Sequence, residues 1–355
     1  MALADRALVV GISKYPGIGD LLGPETDAQE FYDWVTSPGG GGVNKANAKL
    51  IISSLYPASG TPEGARPVVD EIHDFFTQAD VIATANNDEG KGLGLRAGKR
   101  LWMFFSGHGF APSLDMSGVL MANATTKRIF NIGAARWANR LYEGGWFDEV
   151  LLFQDACRNR IPTADLDGMF LLPRTAVLTQ NRTRFLAFSA RDQKLSKELP
   201  FPDGKTRGVF AQTLLDGLRG GARDPVTGAI TARTLRTYLQ DNMKKWLPAA
   251  DLANPEIATE PDVHDFDSGL VIVPGSAPAV TAVETYPVEI ALPAAGMAVV
   301  LQDGLLQQIM TDTPATAVWS IRLPRGLYRA SAGQWEKTFP VTGPGNGAGG
   351  TVHVS

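Results

Sequence analysis

Residues 100–110, RLWMFFSGHGF, and residues 149–158, EVLLFQDACR, decide how this chain is read. Each is an apolar run of strand length, and each closes on a chemically capable side chain, His108 in one and Cys157 in the other. Strands that are apolar throughout, instead of alternating, belong to sheets covered on both faces, as parallel sheets are. Small residues flank both side chains (Gly107, Gly109, Ala156), so each can stand clear at a strand end. Singly, a cysteine in an apolar run is usually a small buried hydrophobe and a histidine a satisfied core or surface residue. The polar Gln154 and Asp155 just ahead of Cys157 have no purpose in a plain core strand. A thiol and a base at two strand tips make a nucleophilic pair, because the thiolate attacks and needs a base within reach. Their separation, 157−108 = 49 residues, accommodates a helix and a loop between parallel strands.

The surrounding sequence repeats the same alternation. RALVVGIS (6–13) precedes a helical PETDAQEFYDWV (24–35), KLIISSL (49–55) precedes ARPVVDEIHDFFTQA (65–79), and IGAARWANRLYEG (132–144) lies between the two deciding runs. Strand and helix in alternation predict an α/β fold with a mostly parallel sheet, helices on both faces, and function at the carboxyl ends of the strands. Two irregular stretches, residues 158–183 and 194–207, are expected to flank that crevice. Around Pro274 the composition shifts to PGSAPAV, a linker signal, and short alternating runs follow (286–292, 297–304, 317–324, 326–333, 337–343). The expected domains are 1–274 and 275–355, the second a small all-β sandwich-like accessory module.

A net charge of −4 gives no electrostatic case for nucleic acid or an anionic membrane surface, and no run reaches the roughly 18 apolar residues of a membrane span. The amino terminus lacks the pattern of a secretory leader, and a single cysteine excludes an internal disulfide, so the expectation is a cytoplasmic protein with a free thiol. GLGLRA (92–97) fits a dinucleotide fingerprint only on paper, since it precedes a strand. One cysteine and four histidines show no zinc spacing, and DLDG at Asp165 is too short for a calcium loop.

SGHG around His108 and QDACR around Cys157 resemble the caspase-like peptidases of the caspase–metacaspase clan, especially bacterial members. RALVVGISKY resembles their first strand, FLAFSARDQ (185–193) a later one, and RGVFAQTLLDGL (207–218) with GAITARTLRTYL (228–239) their closing helices. The 49-residue spacing agrees with the caspase value of about 50. The resemblance covers roughly residues 5–273 and implies a cysteine endopeptidase acting on protein substrates through a His108–Cys157 dyad, with the N–H groups of Gly109 and Cys157 as the oxyanion hole. Asp155 departs from the caspase glutamine and matches metacaspases. Strand alternation puts its side chain on the same side as Cys157, and the resemblance makes it the pocket for the residue before the cut, hence Arg or, less well, Lys. Ser189 and Asp192 are further candidates for that pocket. Arg174 and Arg182, in the loop after Cys157, are candidate cleavage sites for a zymogen processed by itself or by an upstream protease, in a bacterial defence or cell-death setting. No cofactor is expected, although metacaspases of this type often need calcium, for which no spacing locates a site. The alternative is a caspase-like scaffold without proteolytic activity.

Overall fold

The computed structural model describes residues 3–88, 94–113, 116–167, 182–275, 285–345 and 350–355. Six strands form the main sheet: β1 (Arg6–Gly11), β2 (Ala48–Ile52), β3 (Arg100–Ser106), β4 (Glu149–Asp155), β5 (Thr183–Phe188) and β6 (Asp262–Asp265). Their order is β6-β5-β4-β3-β1-β2, with β1 to β5 parallel and β6 antiparallel to β5.

The period of two along each strand sorts side chains between two helical layers. On one face, α1 (Pro24–Thr36) sets Phe31 against Phe104 with ring centroids 4.6 Å apart, and against Phe153 at 5.6 Å. On the other, Leu8, Val10, Met103 and Phe105 share a core with α2 (Val69–Asp88) and α3 (Ala134–Glu143), where Phe76 stacks on Trp137 at 4.1 Å. The expected α/β architecture with helices on both faces is thus the observed one.

Two features depart from the sequence reading. Strand β6 was not expected, because DVHD is four residues long, mostly polar, and needs only one partner at the sheet edge. Within the stretch read as irregular, Glu198–Pro200 and Thr206–Gly208 form an antiparallel hairpin closed by a turn with Gly204 at φ 80°. Arg207 clamps this hairpin to α1, its Nη2 lying 2.6 Å from both Glu30 Oε1 and Asp203 Oδ2.

The described chain falls into two compact units, residues 1–212 with 243–267, and residues 213–242 with 268–355. In the second, a three-stranded sheet (Val318–Pro324, Thr285–Ala291, Val352–Val354) and a four-stranded sheet (Gln308–Asp312, Val299–Asp303, Gly326–Ala332, Trp335–Val341) surround Val288, Ile290, Leu301, Trp319 and Tyr328. Strand Gln308–Asp312 escapes pattern reading because every residue in it is exposed. Residues 213–242 join this unit through Arg223, whose carbonyl accepts the Leu327 N–H at 3.0 Å, and through Ile230–Thr231, which pairs with Val271–Val273.

Candidate active site

Strands β3 and β4 are in register with Ser106 opposite Asp155, and the Gly107 N–H donates to the Asp155 carbonyl at 3.1 Å. His108 and Cys157 each lie two residues beyond that pair, so they leave the sheet at one level. Both line a cleft of about 110 Å³ together with Asp27, Asp155, Ser196 and Glu198.

His108 is held from three directions. Its Nε2 is 2.9 Å from the carbonyl of Gly19, in the loop after β1. A carbonyl only accepts, so Nε2 carries a proton and Nδ1 is the ring atom left to act as a base. The His108 backbone N–H donates to the Tyr15 hydroxyl at 3.1 Å, and that hydroxyl donates onward to the Leu120 carbonyl at 3.2 Å. The Tyr15 ring, fully buried, meets the imidazole edge to face at 4.8 Å. This explains the glycine before the histidine: a Cβ on Gly107 would sit 2.4 Å from the Tyr15 hydroxyl.

Cys157 is half-buried, and its Sγ lies 3.7 Å from the Ser196 carbonyl, as a protonated thiol donor would. Burial pushes the thiol above its ordinary value, and the Asp155 charge adds to the shift. At rest the Cys157 side chain is therefore a thiol, which would become nucleophilic only on losing its proton. Gly109 abuts it, since a Cβ there would fall 2.5 Å from the Cys157 carbonyl oxygen and 2.7 Å from the Ala156 Cβ.

The cleft floor is acidic. Asp155 Oδ1 accepts from the Ser196 hydroxyl at 2.5 Å and Oδ2 from the Ala211 N–H at 3.0 Å. Asp27, in the first turn of α1, accepts from the Ser106 hydroxyl at 3.0 Å and the Gly208 N–H at 3.1 Å. Both carboxyls are pushed above the usual carboxylate range, first by burial and, for Asp27, also by the neighbouring Asp155. Gly208 is a glycine because a Cβ would overlap Asp155 Oδ2 at 2.0 Å. Glu198, a third carboxylate on the cleft wall, accepts the N–H of Gly23 at 2.8 Å at the start of α1.

The Caspase domain profile matches residues 4–250. The chain belongs to the caspase-domain family. Solved structures similar to this caspase-domain protein include caspase-1 from Spodoptera frugiperda, at 14% identity over 78% of this chain and 93% of that one with a TM-score of 0.47. Another is a protein of Geobacter sulfurreducens, at 14% identity over 74% and 92% with a TM-score of 0.41. No curated protein sequence matches the chain.

Of the residues this caspase-domain protein was expected to use, His108, Cys157 and Asp155 come together in the cleft, and Gly109 lies against Cys157. Ser189 is fully buried behind Ala156, whose N–H it accepts at 3.1 Å, and is not among the residues lining the cleft. Asp192 is likewise absent from the lining and bonds Gln193 Nε2 at 3.1 Å. Arg182 donates to the Tyr142 carbonyl and lies 4.8 Å over the Tyr142 ring; Arg174 lies outside the described residues. For calcium, no group of three or more His, Cys, Asp or Glu side chains among the described residues is arranged so that it could hold a metal ion. The sequence reading missed Asp27, Tyr15, Gly19 and Glu198. Asp27 in PETDA reads as an acid complementing the positive end of its own helix, which hides any second role.

Two measurements follow from these ionisations. Alkylation of Cys157 in this caspase-domain protein by iodoacetamide is expected to titrate with a midpoint above the ordinary thiol value of about 8.5; a midpoint below about 7 would reveal a resting thiolate and contradict the geometry. For Asp27, a raised folded-state pKa means that the folded protein holds the proton more tightly than the unfolded chain. The contribution is favourable below the unfolded carboxylate value and is lost as pH rises through the folded one. Asp27→Asn is therefore expected to melt higher than wild type near pH 8, with the gap closing towards about pH 5, by scanning calorimetry. A gap that widens on acidification would contradict this.

Proposed function

We propose that this protein is a cysteine endopeptidase that cuts after Arg and, less well, after Lys. The observation that carries the specificity is the pair of buried carboxylates, Asp27 and Asp155, in the cleft that also holds His108 and Cys157. Two acids kept out of water, with the Asp155 charge raising the proton affinity of Asp27, constitute a site that a cation relieves. A guanidinium supplies five donors in a planar fork, and a carboxylate offers about four lone-pair sites, so Asp155 can keep its bonds to Ser196 and Ala211 and still accept from Arg. Lysine offers a point charge without the fork, which ranks it second.

The chemistry needs only groups of this chain. His108 Nδ1 takes the thiol proton as Sγ bonds to the scissile carbonyl carbon, and the oxyanion accepts from the N–H groups of Gly109 and Cys157. Collapse breaks the C–N bond, the imidazolium returns its proton to the departing amine, and a thioester remains on Cys157. Water, deprotonated by His108, then hydrolyses it and restores the thiol. Self-processing in the loop after Cys157 belongs to the same reading. The candidate sites are Arg174 and Arg182, whereas Arg158 is buried in an ion pair with Asp262 at 2.6 Å.

Fluorogenic peptides that differ only in the residue before the cut test this reading. Arg is expected to be cleaved best, and Cys157→Ala to abolish turnover. Asp155→Asn should depress cleavage after Arg by at least about tenfold, or 1.4 kcal/mol, while Cys157 stays reactive towards iodoacetamide. Preferred cleavage after Asp would overturn the pocket assignment.

A further inference from the structure

A second cavity, of about 400 Å³, opens at the carboxyl ends of β1 and β2, between the loop after β1 and residues 53–66. We propose that it binds the substrate chain on the far side of the scissile bond, taking an apolar or aromatic side chain two or three residues after the cut. This rests on the peptidase reading above.

The direction comes from the reaction. His108 must deliver a proton to the leaving amine, so the chain beyond the cut departs on the histidine side of Cys157. Across the sheet from β4, which carries Cys157, through β3, which carries His108, the next strands are β1 and β2. Neighbouring strands are about 4.8 Å apart and an extended chain advances about 3.3 Å per residue, so two or three residues span from β3 to that cavity.

The two cavities share a wall. In the loop after β1, Leu21 lines the catalytic cleft, the Gly19 carbonyl holds His108, and Lys14, Pro16 and Asp20 line the second cavity. The wall is preformed: the Ser53 hydroxyl, at the end of β2, accepts the N–H groups of Ser13 and Lys14 at 3.0 and 3.2 Å. Pro16, Tyr56, Pro57, Ala58 and Ala65 give the cavity its apolar character. Its cations are already matched, Lys14 with Asp20 at 2.9 Å and Arg66 with Glu71 at 3.6 Å. Glu25 adds a negative charge to the lining, which disfavours an acidic side chain there.

Two substrates separate this inference from the reading it rests on. The first is a peptidyl-Arg fluorogenic amide, with no residues after the cut. The second is a set of internally quenched peptides with Arg before the cut and Phe, Ala, Lys or Asp at the second or third position after it. With the full chain, Phe at one of these positions is expected to raise kcat/KM about tenfold over Ala, with Asp poorest. Ala58→Trp, which fills the cavity from an exposed loop outside the catalytic cleft, should reduce that preference to below about twofold and leave the amide's turnover unchanged. Cleavage of the amide with no preference after the cut overturns the subsite. So does a preference that survives Ala58→Trp. Failure to cleave either substrate overturns the peptidase reading and the subsite with it.

Discussion

The register of two neighbouring strands governs this site. With Ser106 opposite Asp155, side-chain alternation turns Phe104, Ser106, Phe153 and Asp155 to the face covered by α1 and sends His108 and Cys157 out at one level. A slip of β4 by one residue would turn Phe153 and Asp155 to the opposite face, away from Phe31 and Asp27. The hydrophobic packing that sets the register, chiefly Phe31 against Phe104 and Phe153, is thus also what aligns the chemistry.

The same layer holds two buried acids. Asp27 and Asp155 are buried beside each other, and no cation is paired with either among the described residues. Backbone N–H groups of Gly208 and Ala211 and the hydroxyls of Ser106 and Ser196 soften that burial without cancelling it. A site that is costly when empty is suited to a positively charged ligand. The hairpin that brings Gly208 and Glu198 to the cleft is itself fixed to α1 by Arg207, a cation that already has two carboxylates of its own.

The layers of the fold were legible in sequence because its central strands are apolar along their whole length and its helices carry the 3.6-residue pattern. The candidate pair was legible because His108 and Cys157 end two such runs. Other features were hidden for physical reasons. Asp27 and Tyr15 occupy positions that helix electrostatics and core packing explain equally well, and only the tertiary structure brings Asp27 to the cleft and Tyr15 against His108. A backbone carbonyl such as that of Gly19 leaves no side-chain signal at all. The hairpin at 198–208 has strands of three residues, too short for a period to show.

The central claim is that one cleft joins a reactive thiol to an acidic floor. The most direct test is covalent trapping by a peptidyl-Arg chloromethyl ketone, read as intact mass and by peptide mapping, beside the matched peptidyl-Asp reagent. The account predicts one adduct per chain, on Cys157, formed much faster with the Arg reagent and suppressed in Asp155→Asn. Equal rates for both reagents, or an adduct on any other residue, would contradict it.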